Sequence, residues 1–490
     1  MGISVFPAPS AGVTPKVFTY TTPGVSTFTL PSGYGAGNPL RAEVTILAGG
    51  GASGRGYWDS TTDMGVAGGG GAGGIFKGEL ALTSNLNVQV GRGGACYGNI
   101  TYHGGNGELS YIGNGTPKNL FINPQMLGYT EAIGSSLIEF PFPYCGGAAS
   151  RAAAVRGNTI ELGNLGSQSL WNGQTYSVKA STQYTFSMYQ QGNGTQARFN
   201  LLWYTEAGAV ISTSNGSTFT AVNNTWNRSH VGDTSPSTAA YCTLQIQKTS
   251  GTNTLYFSNA QLEEGVTSPT TYVDGDSSGY IWGGIKTGSA TLLASEVMYV
   301  ANGGGGGGGV FGGGPSDSRG YSGGCSGGGG IRTTSATRFM SAGNGGGLGG
   351  NANLFTNSPT VGATQSAISP TNNYYNKFAD FNFGSNGITY ASGANNFYGT
   401  PGPESSDGYG RGGFGGNSKS DSAQSWAELY FNDTNNADWL TRSKNLVNGK
   451  ANTGDGGSFM GITTNSGSGA GTQVLPGNGG SGLVIIKYWS

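Results

Sequence analysis

All-β is the fold class this sequence predicts, in two bodies. One is a glycine-rich β-sandwich with polyglycine-II-like tracts, and the other is a second β-sandwich inserted within it. Three observations carry this. Short runs of β-branched and aromatic residues alternate with polar ones, and helical periodicity is absent between residues 17 and 94. Glycine tracts stand directly before or after those runs, at Gly49–Gly51, Gly68–Gly74, Gly303–Gly309, Gly343–Gly350 and Gly477–Gly482. Glycine density also shifts, with 16 in the 158 residues from Asn119 to Asp276 against 79 in the other 332. That step divides the chain into 1–118, 119–276 and 277–490.

A glycine run has no side chains to bury and loses more backbone entropy on ordering than any other sequence. It is therefore either a disordered linker or a packed array whose neighbours supply its hydrogen bonds. The tracts lie inside one domain, each fed or followed by a strand, which favours the array. Collagen is excluded, because the 95 glycines follow no three-residue period and prolines number only 18. Aromatic residues make up 11% of the chain, enough apolar surface for a core, and charged residues only 10%. That composition separates the chain from the usual highly charged, aromatic-poor disordered type.

In chain order, Val17–Thr21, Ser26–Leu30 and Arg41–Leu47 read as strands, the last running straight into Gly49–Gly51. Ile75–Leu80 follows the next tract, and Leu86–Val90 precedes Gly91-Arg92-Gly93-Gly94. Within 119–276, Gln174–Lys179, Gln183–Tyr189, Ala197–Tyr204, Ala209–Thr213, Tyr241–Lys248 and Thr254–Gln261 read as strands separated by glycine turns. Glu296–Val300 then feeds Gly303–Gly309. Two further insertions, near 352–403 and 417–452, interrupt the glycine-rich part before Leu483–Trp489 closes the chain as a buried strand.

Several functions are disfavoured. A net charge of −1 offers no electrostatic capture of nucleic acid or an anionic membrane. Met1–Phe6 lacks the basic and apolar regions of a secretory signal, and no apolar run is long enough to span a bilayer. Cys96, Cys145, Cys242 and Cys325 form no C-x-x-C pair, and with only His103 and His230 they suggest no zinc site. They read as free thiols, with a long-range disulfide as the alternative. Gly324-Cys325-Ser326-Gly327-Gly328 matches G-x-S-x-G but sits in a glycine tract without the strand and helix that motif needs. Glu263 and Glu264 are adjacent on a strand and face opposite sides, unlike a glycosidase pair. The chain is expected not to be an enzyme.

Phe28-Thr29-Leu30-Pro31, Val44-Thr45-Ile46-Leu47-Ala48-Gly49-Gly50-Gly51 and the closing Gly482-Leu483-Val484-Ile485-Ile486-Lys487-Tyr488 resemble the glycine-rich domain of bacteriophage tail fibres, adhesins and minor tail proteins. Asn119-Leu120-Phe121-Ile122-Asn123-Pro124 resembles the opening of carbohydrate-binding jelly-roll modules. Asn259–Gly265 with Tyr272–Asp276 resembles their closing strand. Gln125-Met126 and Gly128-Tyr129 stand where that opening usually has Phe-Glu and Gly-Trp. These resemblances imply a virion tail component assembled in the host cytoplasm. They further imply a homo-trimer that contacts other phage tail proteins and a host cell-envelope glycan or surface protein. The alternatives are a purely structural virion protein, a cell-wall or polysaccharide hydrolase, and a secreted bacterial adhesin.

The second resemblance also nominates residues. Sugar platforms in such modules are aromatic, and Trp171, Tyr204 and Trp226 are the candidates. Trp203 shares strand parity with Leu201 and reads as core, with a platform as the alternative; Tyr204 then faces the other side. Such modules often carry a structural calcium, for which Asp274 and Asp276, with carbonyls near Asn123, are the candidate ligands. Solvated acids in a turn are the alternative.

Overall fold

The computed structural model describes residues 15–54, 64–66, 70–95, 104–126, 129–130, 144–146, 153–157, 159–163, 168–171, 174–283, 289–306, 317–318, 330–333, 448–457, 459–462 and 473–489. Among them every regular element is a strand, as the alternating pattern predicts. The tract Gly343–Gly350, the insertion near 352–403, most of that near 417–452, the Gly324–Gly328 motif, Cys96 and Cys325 lie outside the described residues.

Two four-stranded antiparallel sheets form the glycine-rich body. One runs Pro15–Tyr20, Leu483–Trp489, Leu40–Leu47, Ile75–Leu82, and the other Gly24–Phe28, Leu86–Val90, Ser110–Gly113, Met298–Ala301. Alternation decides which side chains meet: Ala42, Val44 and Ile46 from one sheet pack with Val88, Ile112 and Phe28 from the other. The two ends of the chain are joined in this body, Pro15 pairing with Trp489 and Leu47 with Leu483.

Six of the eight strands continue into or arise from a glycine tract, and the tracts form one hydrogen-bonded array. At its centre lie residues 48–53. Successive N–H groups of Ala48, Gly49 and Gly50 donate to Gly74, Glu108 and Gly480 at 3.0, 3.1 and 2.9 Å. Those of Gly51, Ala52 and Ser53 then donate to Gly71, Gly105 and Gly477 at 2.8, 2.9 and 2.9 Å, so the same three neighbours recur every third residue. In return, the carbonyls of Gly49, Gly50 and Gly51 accept from Gly304, Gly94 and Gly457, each at 2.8 Å. The central tract thus bonds to six others. Those six bond to one another in a closed ring in the order 70–74, 302–306, 104–108, 91–95, 477–482, 453–457.

Glycine is required here by close approach rather than by dihedral freedom. A Cβ on Gly49 would lie 1.8 Å from the Arg92 carbonyl oxygen, and one on Gly303 would lie 1.8 Å from that of Gly107. Ordering the tracts costs backbone entropy. Bonds worth about 1 kcal/mol net each offset it, together with the penalty that unpaired buried amides would carry.

The inserted body has a six-stranded and a seven-stranded antiparallel sheet around its own core, which includes Phe121, Phe186, Phe199, Trp203, Phe257 and Leu262. Its entry and exit are tied by one side chain. Buried Asn119 accepts from the N–H groups of Phe121 and Leu262 and donates to the carbonyls of Ala260 and Val273, at 3.0–3.1 Å. The expected strand Gln174–Lys179 shrinks to Tyr176–Ser177, and Asn227–Thr234 forms an additional strand at one edge of the six-stranded sheet.

Gly49→Ala is expected to lower stability by about 2–3 kcal/mol through overpacking. Gly35→Ala, where a Cβ would meet nothing within 4 Å, is the matched control. Equal denaturant midpoints for the two variants would sink the packed-array account.

Candidate functional site

The outward face of the seven-stranded sheet in the inserted body brings polar side chains together. Along Gln196–Tyr204, the side chains of Ala197, Phe199, Leu201 and Trp203 enter the core, so Arg198, Asn200, Leu202 and Tyr204 face outward. The neighbouring strand Tyr241–Ser250 buries Cys242, Leu244 and Ile246, which turns Tyr241, Thr243, Gln245 and Gln247 the same way. Register then makes cross-strand rows: Asn200 pairs with Gln245 and Arg198 with Gln247. Asn200 Nδ2 donates to Gln245 Oε1 at 2.6 Å and to Gln247 Oε1 at 3.2 Å, and Arg198 Nε donates to Gln247 Oε1 at 2.8 Å. Asn200 is 1% exposed, and its Oδ1 has no hydrogen-bond partner among the described residues.

Trp171 joins this region by register, its backbone pairing with Gln245; its side chain lies outside the described residues. Trp203 is core, with Nε1 donating to Ser214 Oγ at 2.7 Å. Tyr204 does face away from it, but is only 5% exposed and stacks on Tyr241, with ring centroids 5.0 Å apart and planes 3° from parallel. Trp226 is 43% exposed, in the loop before Asn227–Thr234, the edge strand of the opposite sheet. The structure therefore places the three aromatic candidates at three separate positions. Arg198, Asn200, Gln245 and Gln247 were missed by a search for aromatics. Their signal was nonetheless present, as polar residues at alternate positions within two strongly apolar strands.

Tyr241 marks where the inserted body meets the glycine array. The Arg92 guanidinium lies 5.6 Å from its ring centroid, donates to Ser177 Oγ at 2.5 Å and pairs with Glu206. Glu108, from the neighbouring tract, accepts from the Arg92 N–H at 3.1 Å and from Ser177 Oγ. Burial and the neighbouring Tyr204 push the Tyr241 phenol up to about 12, against the opposing pull of Arg92.

Asp274 and Asp276 come together, but donors surround them. Gln125 Nε2 donates to both, at 2.6 and 2.9 Å. Tyr272 and Ser277 hydroxyls reach Asp274 at 3.1 and 3.0 Å, and Trp282 Nε1 reaches Asp276 at 3.0 Å. The Asn123 carbonyl accepts from the Met126 N–H. Calcium needs six to eight oxygen ligands, and this donor set does not fit it. No cluster of three or more acidic, His or Cys residues occurs among the described residues. Glu263 accepts from Thr270, whereas Glu264 pairs with Lys179 and accepts from Tyr184, so the two acids serve opposite sides of their strand.

No family model matches the chain, and no curated protein matches it. Solved structures do. A carbohydrate-binding module titled "CBM4 structure and function" aligns at TM-score 0.22 and 14% identity, over 29% of this chain and 99% of its own. The enzymatically active domain of bacteriophage CBA120 tailspike protein 4 aligns at 0.18 and 13%, over 22% of this chain and 15% of its own. Two modules of a Clostridium thermocellum xylanase, one carbohydrate-binding and one catalytic, align at 0.19 and 16%, over 23% and 24%. The chain thus spans less than a quarter of the tailspike and xylanase chains it is similar to.

A tyrosine whose folded pKa is raised keeps its proton in the native state after the unfolded chain has lost it, so alkali favours unfolding. Tyr241 is expected to contribute stability that is complete below pH 10.0 and lost as pH rises to about 12. Tyr241→Phe should flatten that part of the stability profile; an unchanged profile would refute the assignment.

Proposed function

We propose that the chain is a non-catalytic component of a phage tail whose inserted body binds glycan on the host surface while the glycine-rich body holds it in place. The observation that carries the binding reading is the outward row of Arg198, Asn200, Gln245 and Gln247, joined by side-chain hydrogen bonds across two strands. Amides that give and take hydrogen bonds suit hydroxyl-rich ligands, and the backbone pairing of Trp171 with Gln245 supports the reading.

The tail reading rests on the strand–tract order along the sequence and is supported by the array. A three-residue hydrogen-bonding period with six neighbours around the central tract is the packing expected of polyglycine II, and we assign it that conformation. Such an array presents a rigid, nearly side-chain-free body. We further propose a homo-trimer that engages other tail proteins and is assembled in the host cytoplasm.

Binding of the full chain to a panel of host-envelope glycans tests the first part. Asn200→Ala and Gln245→Ala are each expected to weaken binding about tenfold, the equivalent of about 1.4 kcal/mol, without lowering the melting temperature in step. Wild-type protein that binds no glycan would leave a purely structural role. Quantitative mass spectrometry of purified virions tests the rest: the chain should be present in a multiple of three copies, and its absence would end the tail reading.

A further inference from the structure

The hydrogen bonds of the amide row determine which atoms remain for a ligand. An arginine side chain has no acceptor, so the Gln247 atom 2.8 Å from Arg198 Nε must be its oxygen. The Asn200 atom 3.2 Å from that same oxygen must then be nitrogen, and the Gln245 atom 2.6 Å from that nitrogen must be oxygen. Both glutamine oxygens are thereby engaged within the sheet, and neither Nε2 group donates to a described residue. The two terminal nitrogens of Arg198 make no bond to any described residue, while Nε holds the guanidinium plane against Gln247.

The sheet around this row carries no countercharge. Its seven strands, from Tyr144–Gly146 through Tyr241–Ser250, contain no Asp or Glu. Their other cation, Lys248, gives its ammonium to the carbonyls of Gly163 and Asn253, at 2.9 and 3.0 Å. Arg198 and Gln247 are the half-buried members of the row, whereas Asn200 and Gln245 are buried.

We infer that this site selects acidic glycans: an anionic sugar substituent lies against the Arg198 fork beside the Gln247 amide. A guanidinium matches carboxylate, phosphate or sulfate oxygens in pairs, whereas a neutral sugar leaves the fork with hydroxyls alone. The inference rests on the glycan-binding reading and adds the charge class of the ligand.

Calorimetry on the full chain tests it with galacturonate oligosaccharides and with phosphate-bearing and sulfate-bearing galactans, each against neutral galactan of equal length. At least one acidic probe is expected to bind about tenfold or more tightly than the neutral one, with a preference that shrinks as salt rises. Which acidic probe wins identifies the anion. Arg198→Gln should erase the preference for the acidic over the neutral probe, and Arg198→Lys should keep only part of it because the fork is lost. Equal or tighter binding of neutral galactan by wild type, or an undiminished preference in a folded Arg198→Gln, would overturn the charge assignment and leave glycan binding standing. No binding to any acidic or neutral glycan would overturn both.

Discussion

The structure depends on the hydrogen bonding of residues 48–53 to six other tracts. These bonds join parts of the chain hundreds of residues apart, such as Gly50 to Gly480. Glycine tracts hold no side-chain information with which to choose partners or register. The strands supply it. Leu40–Leu47 sits between Leu483–Trp489 and Ile75–Leu82 in its sheet, and the tract following it bonds to the tracts attached to those same two strands. In the second sheet, Ser110–Gly113 lies between Leu86–Val90 and Met298–Ala301, and their tracts repeat that order in the ring. Apolar alternation thus fixes strand order, and strand order fixes the array.

That dependence explains what was legible in the sequence. Strands with buried alternation, such as Arg41–Leu47 and Ala197–Tyr204, could be read because a core enforces their period. Asn227–Thr234 could not be read. It is a polar edge strand with only Val231 buried, and its pairing with Gln183–Gly192 provides the stability that its own composition lacks. The single tract most easily overlooked is 453–457, Thr-Gly-Asp-Gly-Gly, which follows no strand of the sandwich and yet closes the ring. At the candidate site, Trp203 and Tyr204 separated by parity as expected. What sequence could not supply was that Tyr241 stacks on Tyr204 and itself lies against Arg92 of the array. That is tertiary information, since Arg92 and Tyr241 meet only through the docking of the two bodies.

The docking itself relies on polar groups held in strict geometry. Arg92 and Glu108 lie on adjacent tracts of the ring, where glycine neighbours leave room for only a few side chains to project. Both are nearly buried, and removing charges from water is costly unless each is matched. Arg92 answers Glu206 and Ser177 from the inserted body, and Ser177 answers Glu108 in turn. Gln174 adds a contact to the Gly107 carbonyl at 3.4 Å. With Asn119 closing the neck, the inserted body is held beside the array by directional bonds.

Chain direction gives the array a polarity with a functional consequence. Tracts 48–53, 91–95 and 302–306 follow their strands and run away from the sandwich, whereas 70–74, 104–108 and 477–482 precede theirs and run back. Between tracts 48–53 and 70–74, strand Met64–Val66 pairs with Gly330–Thr333, and the hairpin Phe459–Ile462 and Gln473–Pro476 links tract 453–457 to 477–482. The inserted body departs instead from strands Ser110–Gly113 and Met298–Ala301, on the sandwich side, and returns to lie against the array through Arg92 and Gln174. The lattice thus constrains the inserted body, which must keep the surface that docks it, and leaves the rest of its outward sheet face as the part free to specialise for a ligand.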